Sequence, residues 1–268
     1  MNTNDYFRAC LIPGLAALAS FSGCAAPQQQ VPATPAYQPN FSYSAVNTGK
    51  KMKFTIGVLD PQFKGDASMR QPQKDPVYKA MLSAMDASFS EMLIAKGFDT
   101  KGPFPSLNDM NYPDKKGSEL LLYAELDFDV NAEPGKVRQA PADSQLMSVL
   151  NNLSDDKHKS DPKNQMCDVT VTVAGNMQFI ALEPLSNQKM WNKRLDVTRA
   201  GEVLPGQRGR YCVSGRLEDA TQEVKNARAK AFEVLYQDSM KVLDNYISGE
   251  EFQGLRGMVK EIREKKAY

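Results

Sequence analysis

A single histidine, His158, is the only imidazole in this chain, and it lies in a polar stretch with no ligand-spaced neighbours. That count excludes any two-histidine mechanism and any histidine-rich metal centre. The other routes to catalysis are equally bare. No Gly-x-Ser-x-Gly elbow occurs, and Gly206-Gln207-Arg208-Gly209 is followed by no Lys-Ser/Thr pair, so it is not a phosphate loop. Glu125, Asp127 and Asp129 fall at i, i+2 and i+4 of a strand pattern and so share one sheet face. Calcium chemistry would also need a Gly-turned loop and carbonyl ligands, so these carboxylates read as a solvated face. Four arginines, Arg199, Arg208, Arg210 and Arg216, sit in or beside the Gly-rich stretch 201–215. Guanidinium groups on such a loop grip carboxylates or phosphates. The sole tryptophan, Trp191, is expected in the core or rim of a hairpin. Plain solvation is the ordinary reading of the four arginines, with binding of anionic groups as the alternative; no catalytic residue, metal or cofactor is expected.

Cysteine chemistry depends on the N-terminus. Arg8 precedes the apolar run 9–19, which is followed by small residues and Cys24. This is a secretory-signal pattern, too short for a stable membrane span. Phe21-Ser22-Gly23-Cys24 resembles a bacterial lipobox, in which the cysteine is diacylated and becomes the first mature residue. Ala25 follows the cysteine, which favours sorting to the outer membrane. Cys10 then leaves with the signal and Cys24 carries lipid. Of the remaining two, Cys167 and Cys212, the simplest fate in an oxidising compartment is a mutual disulfide, with two free thiols as the alternative.

The elements that must position these groups are legible in pattern. Lys+Arg 33 against Asp+Glu 32 gives a net charge of +1, which argues against a nucleic-acid binder. Residues 25–49 carry no charge and are punctuated by prolines, a tether reaching on the order of 75 Å when extended. Alternation from Met52 to Val58 predicts a strand, and Asp75-Pro76 opens a helix whose core face is Tyr78, Met81, Leu82, Met85, Phe89, Met92 and Leu93. A short strand follows over 98–104. The clearest strand is 120–130, with Leu122, Ala124, Leu126, Phe128 and Val130 on one face. A polar insertion occupies about 133–165, with one modest apolar stretch at 146–153 and an exposed charged run at 154–164. A long strand through Val169, Val171, Val173, Ile180 and Leu182 has Gly175 as its bulge, and it forms a hairpin with 189–197 across the turn 183–187. The stretch 201–215 is read as a flexible loop. Two long C-terminal helices close the chain, about 217–247 and from Ser248 onward. The expected organisation is a signal peptide at 1–23, a tether at 24–50 and one α+β domain at 51–268. Its sheet is expected to be mostly antiparallel, with the helices packed on one face.

Several local runs occur together in order. Lys96-Gly97-Phe98 ends the first helix, Lys116-Gly117-Ser118-Glu119-Leu120-Leu121-Leu122-Tyr123-Ala124 enters the central strand, and Ile180-Ala181-Leu182-Glu183-Pro184-Leu185-Ser186 makes the hairpin. In this order, from about Phe54 to the C-terminus, the chain resembles the neuraminyllactose-binding haemagglutinin family of Helicobacter-type adhesin lipoproteins, which are also associated with the flagellar sheath. The resemblance implies an outer-membrane, lipid-anchored, surface-displayed protein with an adhesin-like role towards sialylated host glycans. It also implies a basic recognition segment after the central strand, which here reads Gly135-Lys136-Val137-Arg138-Gln139-Ala140-Pro141. Lys136 and Arg138 are the positions onto which its charge carries. With Arg208 and Arg210 they form the ligand-binding candidates. The alternative is a non-catalytic envelope or flagellar-sheath accessory lipoprotein that acts in assembly with an envelope protein partner.

Overall fold

The alternating run after Met52 forms β1 (Thr55–Leu59), followed by the short β2 (Gln62–Phe63). In α1 (Pro76–Ala95) the Asp75 carboxylate accepts from the amides of Val77 and Tyr78, and Pro76 takes the first turn. The helix stops at Gly97, whose φ of +90° and approach to the Lys50 carbonyl admit no side chain: a Cβ there would lie 1.6 Å from that oxygen. Every residue of its expected core face is buried except Leu82, which is half-buried against the core. The chain continues through β3 (Asp99–Phe104), α2 (Tyr112–Gly117), β4 (Leu120–Pro134), β5 (Arg138–Gln139) and β6 (Gln165–Glu183). After these come β7 (Gln188–Asp196), β8 (Val203–Arg208), α3 (Tyr211–Ser214), α4 (Gln222–Tyr246) and α5 (Gly249–Lys265). These elements belong to a computed structural model that describes residues 33–48, 50–64, 75–140 and 165–266. The signal peptide, Cys10, Cys24, the 146–153 stretch, the 154–164 run and His158 lie outside the described residues.

Among the described residues eight strands form one sheet, in the order β3-β1-β4-β6-β5, with β2 beside β4 and with β7 and β8 beside β6. The sheet is mixed, which corrects the expectation of a mostly antiparallel one. β1 runs parallel to β3 and β4, and β2 runs parallel to β4. The β6 pairings with β4, β5, β7 and β8 are antiparallel. The cause is α1, which carries the chain back along the helix layer, so that β3 starts at the same end as β1. The helices also vary in length, from 25 residues in α4 and 20 in α1 to 17 in α5, 6 in α2 and 4 in α3.

β4 alternates as its sequence requires. Leu122, Ala124, Leu126, Phe128 and Val130 enter the main core with residues of α1, α4 and α5, while Leu121 and Tyr123 join a second cluster with Leu59, Met110, Ile180 and Leu182. The solvated carboxylate face is only partly realised. Asp127 is exposed, Glu125 is mostly covered between Lys64 and Lys189, and Asp129 is buried beside Arg228. Gly175 sits opposite Phe128 with φ +131°, where a Cβ would lie 2.0 Å from the Asp127 carbonyl oxygen. Trp191 packs on Phe252 at 5.4 Å and its indole N–H donates to Glu251 at 2.9 Å.

Two segments differ from their sequence reading. The stretch 201–215, expected as a flexible loop, supplies β8 and α3, because β6 extends back to Gln165 and offers β8 a free edge. The charge-free stretch expected as a tether is docked over 34–48. Tyr37, Pro39, Phe41, Tyr43 and Ala45 are half-buried, while Gln38, Asn40, Ser42 and Ser44 between them are exposed. This strap runs alongside α4 from Thr34, which bonds Glu223 at 2.7 Å, to Tyr43, whose hydroxyl donates to Asp244 at 2.8 Å. The period-two placement of aromatic rings decides the outcome, since charge and proline content carry no information about it.

Candidate functional site

The long β6 strand ends at Gln165, and both of its edges are used there. Arg138 of β5 stands opposite Met166 on one side, and Arg208 of β8 stands opposite the same Met166 on the other. Two of the candidate cations are thus placed in one row across three strands, although 70 residues separate them (208 − 138). Lys136 lies in the link between β4 and β5, exposed, next to Gly135, whose amide donates to the Asp168 carbonyl at 2.7 Å. Arg210 is exposed just before α3, and its carbonyl accepts the amides of Val213 and Ser214. The other two loop arginines lie elsewhere. Arg199 pairs with Asp238 of α4 at 2.5 Å, and Arg216 is exposed after α3.

Two devices hold the row in place. The Asp168 carboxylate takes Arg138 at 3.0 Å and the Gly206 amide at 2.9 Å, so one side chain ties β5 and β8 to β6. Cys167 and Cys212 form a disulfide, with Cα atoms 5.6 Å apart, that fastens α3 to β6. Around it Val169, Tyr211, Ala220 and Val224 pack as a small core, and Val224 belongs to the first turn of α4. The amino end of α4 and the amino end of the strap therefore both lie at this end of the sheet, on the face opposite the Arg138–Met166–Arg208 row. Acidic groups are present too: Glu133, Glu218, Asp219 and Glu223 are close in chain or contact. The end is cationic along the row, not uniformly positive. Exposed Val137, Val203 and Val213 border it.

On the helix side of the sheet is a buried polar group. Arg228 of α4 reaches Asp75 at 3.3 Å and Asp129 at 3.9 Å. The Tyr78 and Tyr211 hydroxyls, the Arg228 Nε and the Asp129 Oδ1 are buried without a hydrogen-bond partner among the described residues. Burial pushes the Tyr211 hydroxyl up to about 12; Arg228 acts against this and Glu133 adds to it. Such a phenol stays neutral at physiological pH and adds no charge to the row.

The far end of the sheet is built differently. Glu183, fully buried at the end of β6, bonds Arg263 of α5 at 2.8 Å and the Ser186 amide at 2.6 Å. Arg263 also donates to the carbonyls of Lys116 at 3.0 Å and Ser118 at 2.6 Å. Burial alone would raise the Glu183 carboxyl, but Ser186 and Arg263 outweigh it and hold the group below the usual range. An open groove of about 780 Å³ lies beside this pair, lined by Glu119, Gln253, Arg256, Lys260 and Arg263 among others. Its cations are already matched, Arg256 by Glu119 at 3.3 Å and Lys260 by Glu264 at 3.8 Å.

Among the described residues no group of three or more His, Cys, Asp or Glu side chains is placed to hold a metal ion. No described helix is long and apolar enough to cross a membrane. Sequence reasoning missed the strap and the stripe of α4 that receives it. The available signals were the alternation of Tyr37, Phe41 and Tyr43 and the polar residues of α4 at Glu223, Asn226, Glu233 and Gln237, spaced for one helical face.

No family model and no curated protein matches this sequence. Among solved structures, the fold is similar to that of a homolog of a neuraminyllactose-binding hemagglutinin from Helicobacter pylori. The TM-score is 0.50 at 12 % identity, covering 84 % of this chain and 100 % of that one. A protein of the DUF330 family from Xanthomonas campestris aligns over 85 % of this chain and 99 % of its own, at 11 % identity and a TM-score of 0.33. The first likeness, at its low identity, reaches the α+β fold and no further; the second is too loose to bear on it.

Proposed function

We propose that this chain is a lipid-anchored outer-membrane lipoprotein with an adhesin-like role. In this reading Cys24 carries the lipid, and the Arg138–Arg208 row, with Lys136 and Arg210 near it in the chain, recognises sialylated or other anionic glycans. The observation that carries the reading is the register of Arg138 and Arg208 on either side of Met166, which brings two arginines from distant segments to one face of a braced strand end. Arg138 pairs with Asp168 at 3.0 Å and both side chains stay about half exposed, so a ligand anion can reach the guanidinium. The fold likeness to a hemagglutinin homolog adds support at the level of architecture. The reading assigns the chain no chemistry beyond binding.

A glycan array probed with the full chain carrying Cys24→Ala tests the binding part. Sialylated or other acidic glycans are expected to bind. The combined Lys136→Ala, Arg138→Ala and Arg208→Ala chain is expected to lose about 10-fold to 100-fold in affinity for each charge-assisted contact removed. Unchanged binding by that variant removes the row from the reading. Metabolic labelling with a clickable fatty acid tests the anchor separately, since labelling should vanish in Cys24→Ala. Protease treatment of intact cells tests display, because surface exposure predicts cleavage of the domain without lysis.

A further inference from the structure

The strap is held in an unusual way. Residues of α4 address its backbone: the Asn226 amide donates to the Pro35 carbonyl at 2.9 Å while its oxygen accepts from the Tyr37 amide at 2.8 Å. Glu233 accepts the Asn40 amide at 3.1 Å and the Tyr37 hydroxyl at 2.6 Å, and Gln237 donates to the carbonyls of Asn40 and Ser42 at 3.2 and 2.9 Å. Phe41 meets Tyr236 edge-on at 5.4 Å. The strap contributes no charged side chain, its rings are only half-buried, and most of these hydrogen bonds are open to water, the two made by Tyr37 being part-buried. Contacts of this kind roughly balance the entropy of ordering the segment, so the strap is held locally and can be released without unfolding the domain. Its far end is pinned more firmly, by Thr48 to the Ala95 carbonyl at 3.0 Å and by Met52 to the Gly97 carbonyl at 2.7 Å.

Docking fixes which end of the domain the chain arrives at. Thr34 lies on Glu223, in the same first turn of α4 that packs on Cys167 and Cys212, at the end of the sheet that carries the cationic row on its other face. Residues 25–33, nine in number, span at most ~30 Å between Cys24 and that point. The opposite end, with Glu183, Lys116 and α5, lies farther by the length of β6, 19 residues or about 60 Å. With the strap released as far as its Thr48 pin, the spacer becomes residues 25–47 and reaches ~75 Å.

We infer that the strap 34–48 is an orienting latch: docked on α4, it holds the Arg138–Met166–Arg208 row towards the membrane that anchors the chain, and its release frees the row to turn outward. The inference rests on the reading above, in which Cys24 is the anchor and the row is the binding site. Docking thereby regulates access to that site by bulky ligands, because a gap of at most ~30 Å admits small molecules and excludes a glycoprotein.

The test uses the full chain with Cys10→Ser, coupled through Cys24 to a maleimide phospholipid in neutral phosphatidylcholine vesicles, so it does not depend on acylation in the cell. An amine-reactive polymer too bulky for the gap modifies accessible lysines, which are then mapped by mass spectrometry. Modification of Lys136 is expected to fall at least about threefold on vesicle coupling, while Lys116 and Lys260 at the far end keep their rates. Loosening the strap by Tyr37→Ala with Phe41→Ala is expected to abolish the difference. So is loosening it from the helix side by Asn226→Ala with Gln237→Ala, which leaves the strap sequence intact and guards against misfolding of the first variant. Equal modification of Lys136 with and without vesicles, or protection that persists in both strap variants, overturns the latch. Loss of glycan binding in the row variants with Lys136 protection intact keeps the orientation and removes the ligand reading.

Discussion

Arg263→Met isolates the brace at the far end of the sheet. The substitution keeps the packing of the alkyl stem and removes three donated hydrogen bonds, to the Glu183 carboxylate and to the carbonyls of Lys116 and Ser118. Glu183 is left fully buried with an amide bond from Ser186 as its main support. Leaving one member of a buried pair uncompensated costs about 3–5 kcal/mol; water reaching the partly exposed Arg263 position places this case at about 3 kcal/mol. With a urea m-value of about 2.5 kcal/mol/M, the unfolding midpoint falls by about 1.2 M. The pH dependence adds a sign. In the parent the Glu183 carboxyl is held below its ordinary range, so its stabilisation is present above the unfolded pKa and is lost as pH falls through the folded one. In the variant the Ser186 and Leu185 bonds remain but Arg263 no longer joins them in opposing burial, so the Glu183 pKa rises from its position in the parent. The deficit measured at about pH 7 should therefore shrink by about 1 kcal/mol or more at about pH 4. Urea titrations at both pH values, with Glu183→Gln completing a double-mutant cycle, read the effect. A deficit under about 1 kcal/mol at neutral pH, or one that does not change with pH, refutes the reasoning.

Other expectations follow from the same geometry. Replacing Cys167 and Cys212 by Ala opens a loop with a sequence separation of 45, worth about 4 kcal/mol in the chain-entropy model; urea melts should show that loss, with proteolysis near β8 and α3 appearing first. Gly175→Ala puts a Cβ into the Asp127 carbonyl at a φ of +131°, and thermal melts should show a loss of about 2–4 kcal/mol. Asp86 is pushed up to about 7, by burial first and by the charge of Asp60 second. Its folded pKa lies above the unfolded value, so stability is fully present below the unfolded carboxylate pKa and declines as pH rises towards about 7. Asp86→Asn should flatten that decline in melts recorded across the interval, and an unchanged slope would count against the assignment.

Much of the architecture was legible in pattern. α1 was placed by Asp75, Pro76 and Gly97 because caps and breakers act within a few residues of the backbone they satisfy. The β6–β7 hairpin was visible for the same reason; Gly175, expected as a bulge, instead stays in register opposite Phe128 with a positive φ, and the register shift of the hairpin falls at Ala181/Leu182. Parallel pairing of β1 with β3 was not, since strand direction depends on how a crossover helix packs and leaves no local mark. For the candidate site, the arginine-bearing stretch 201–215 and the segment holding Lys136 and Arg138 stood out by composition, whereas their convergence on Met166 required the β6 edge.

The sequence by itself determined the ends of α1 and the Ser248 cap of α5, the alternation of the long strands, the spacing of Cys167 and Cys212, and the absence of a two-histidine chemistry, because each follows from residue types and short-range spacing. The start of α4 was not among these, since it lies at Gln222 and not near 217. Tertiary structure alone decided that Arg138 and Arg208 share a row, that Asp129 is buried beside Arg228, and that a charge-free, proline-punctuated segment lies docked along α4. These outcomes join residues from 30 to nearly 200 positions apart, from the Arg138–Asp168 pair to the Tyr37–Glu233 bond. Only the packed fold brings such groups within hydrogen-bond distance, and so only the packed fold can say which of them meet.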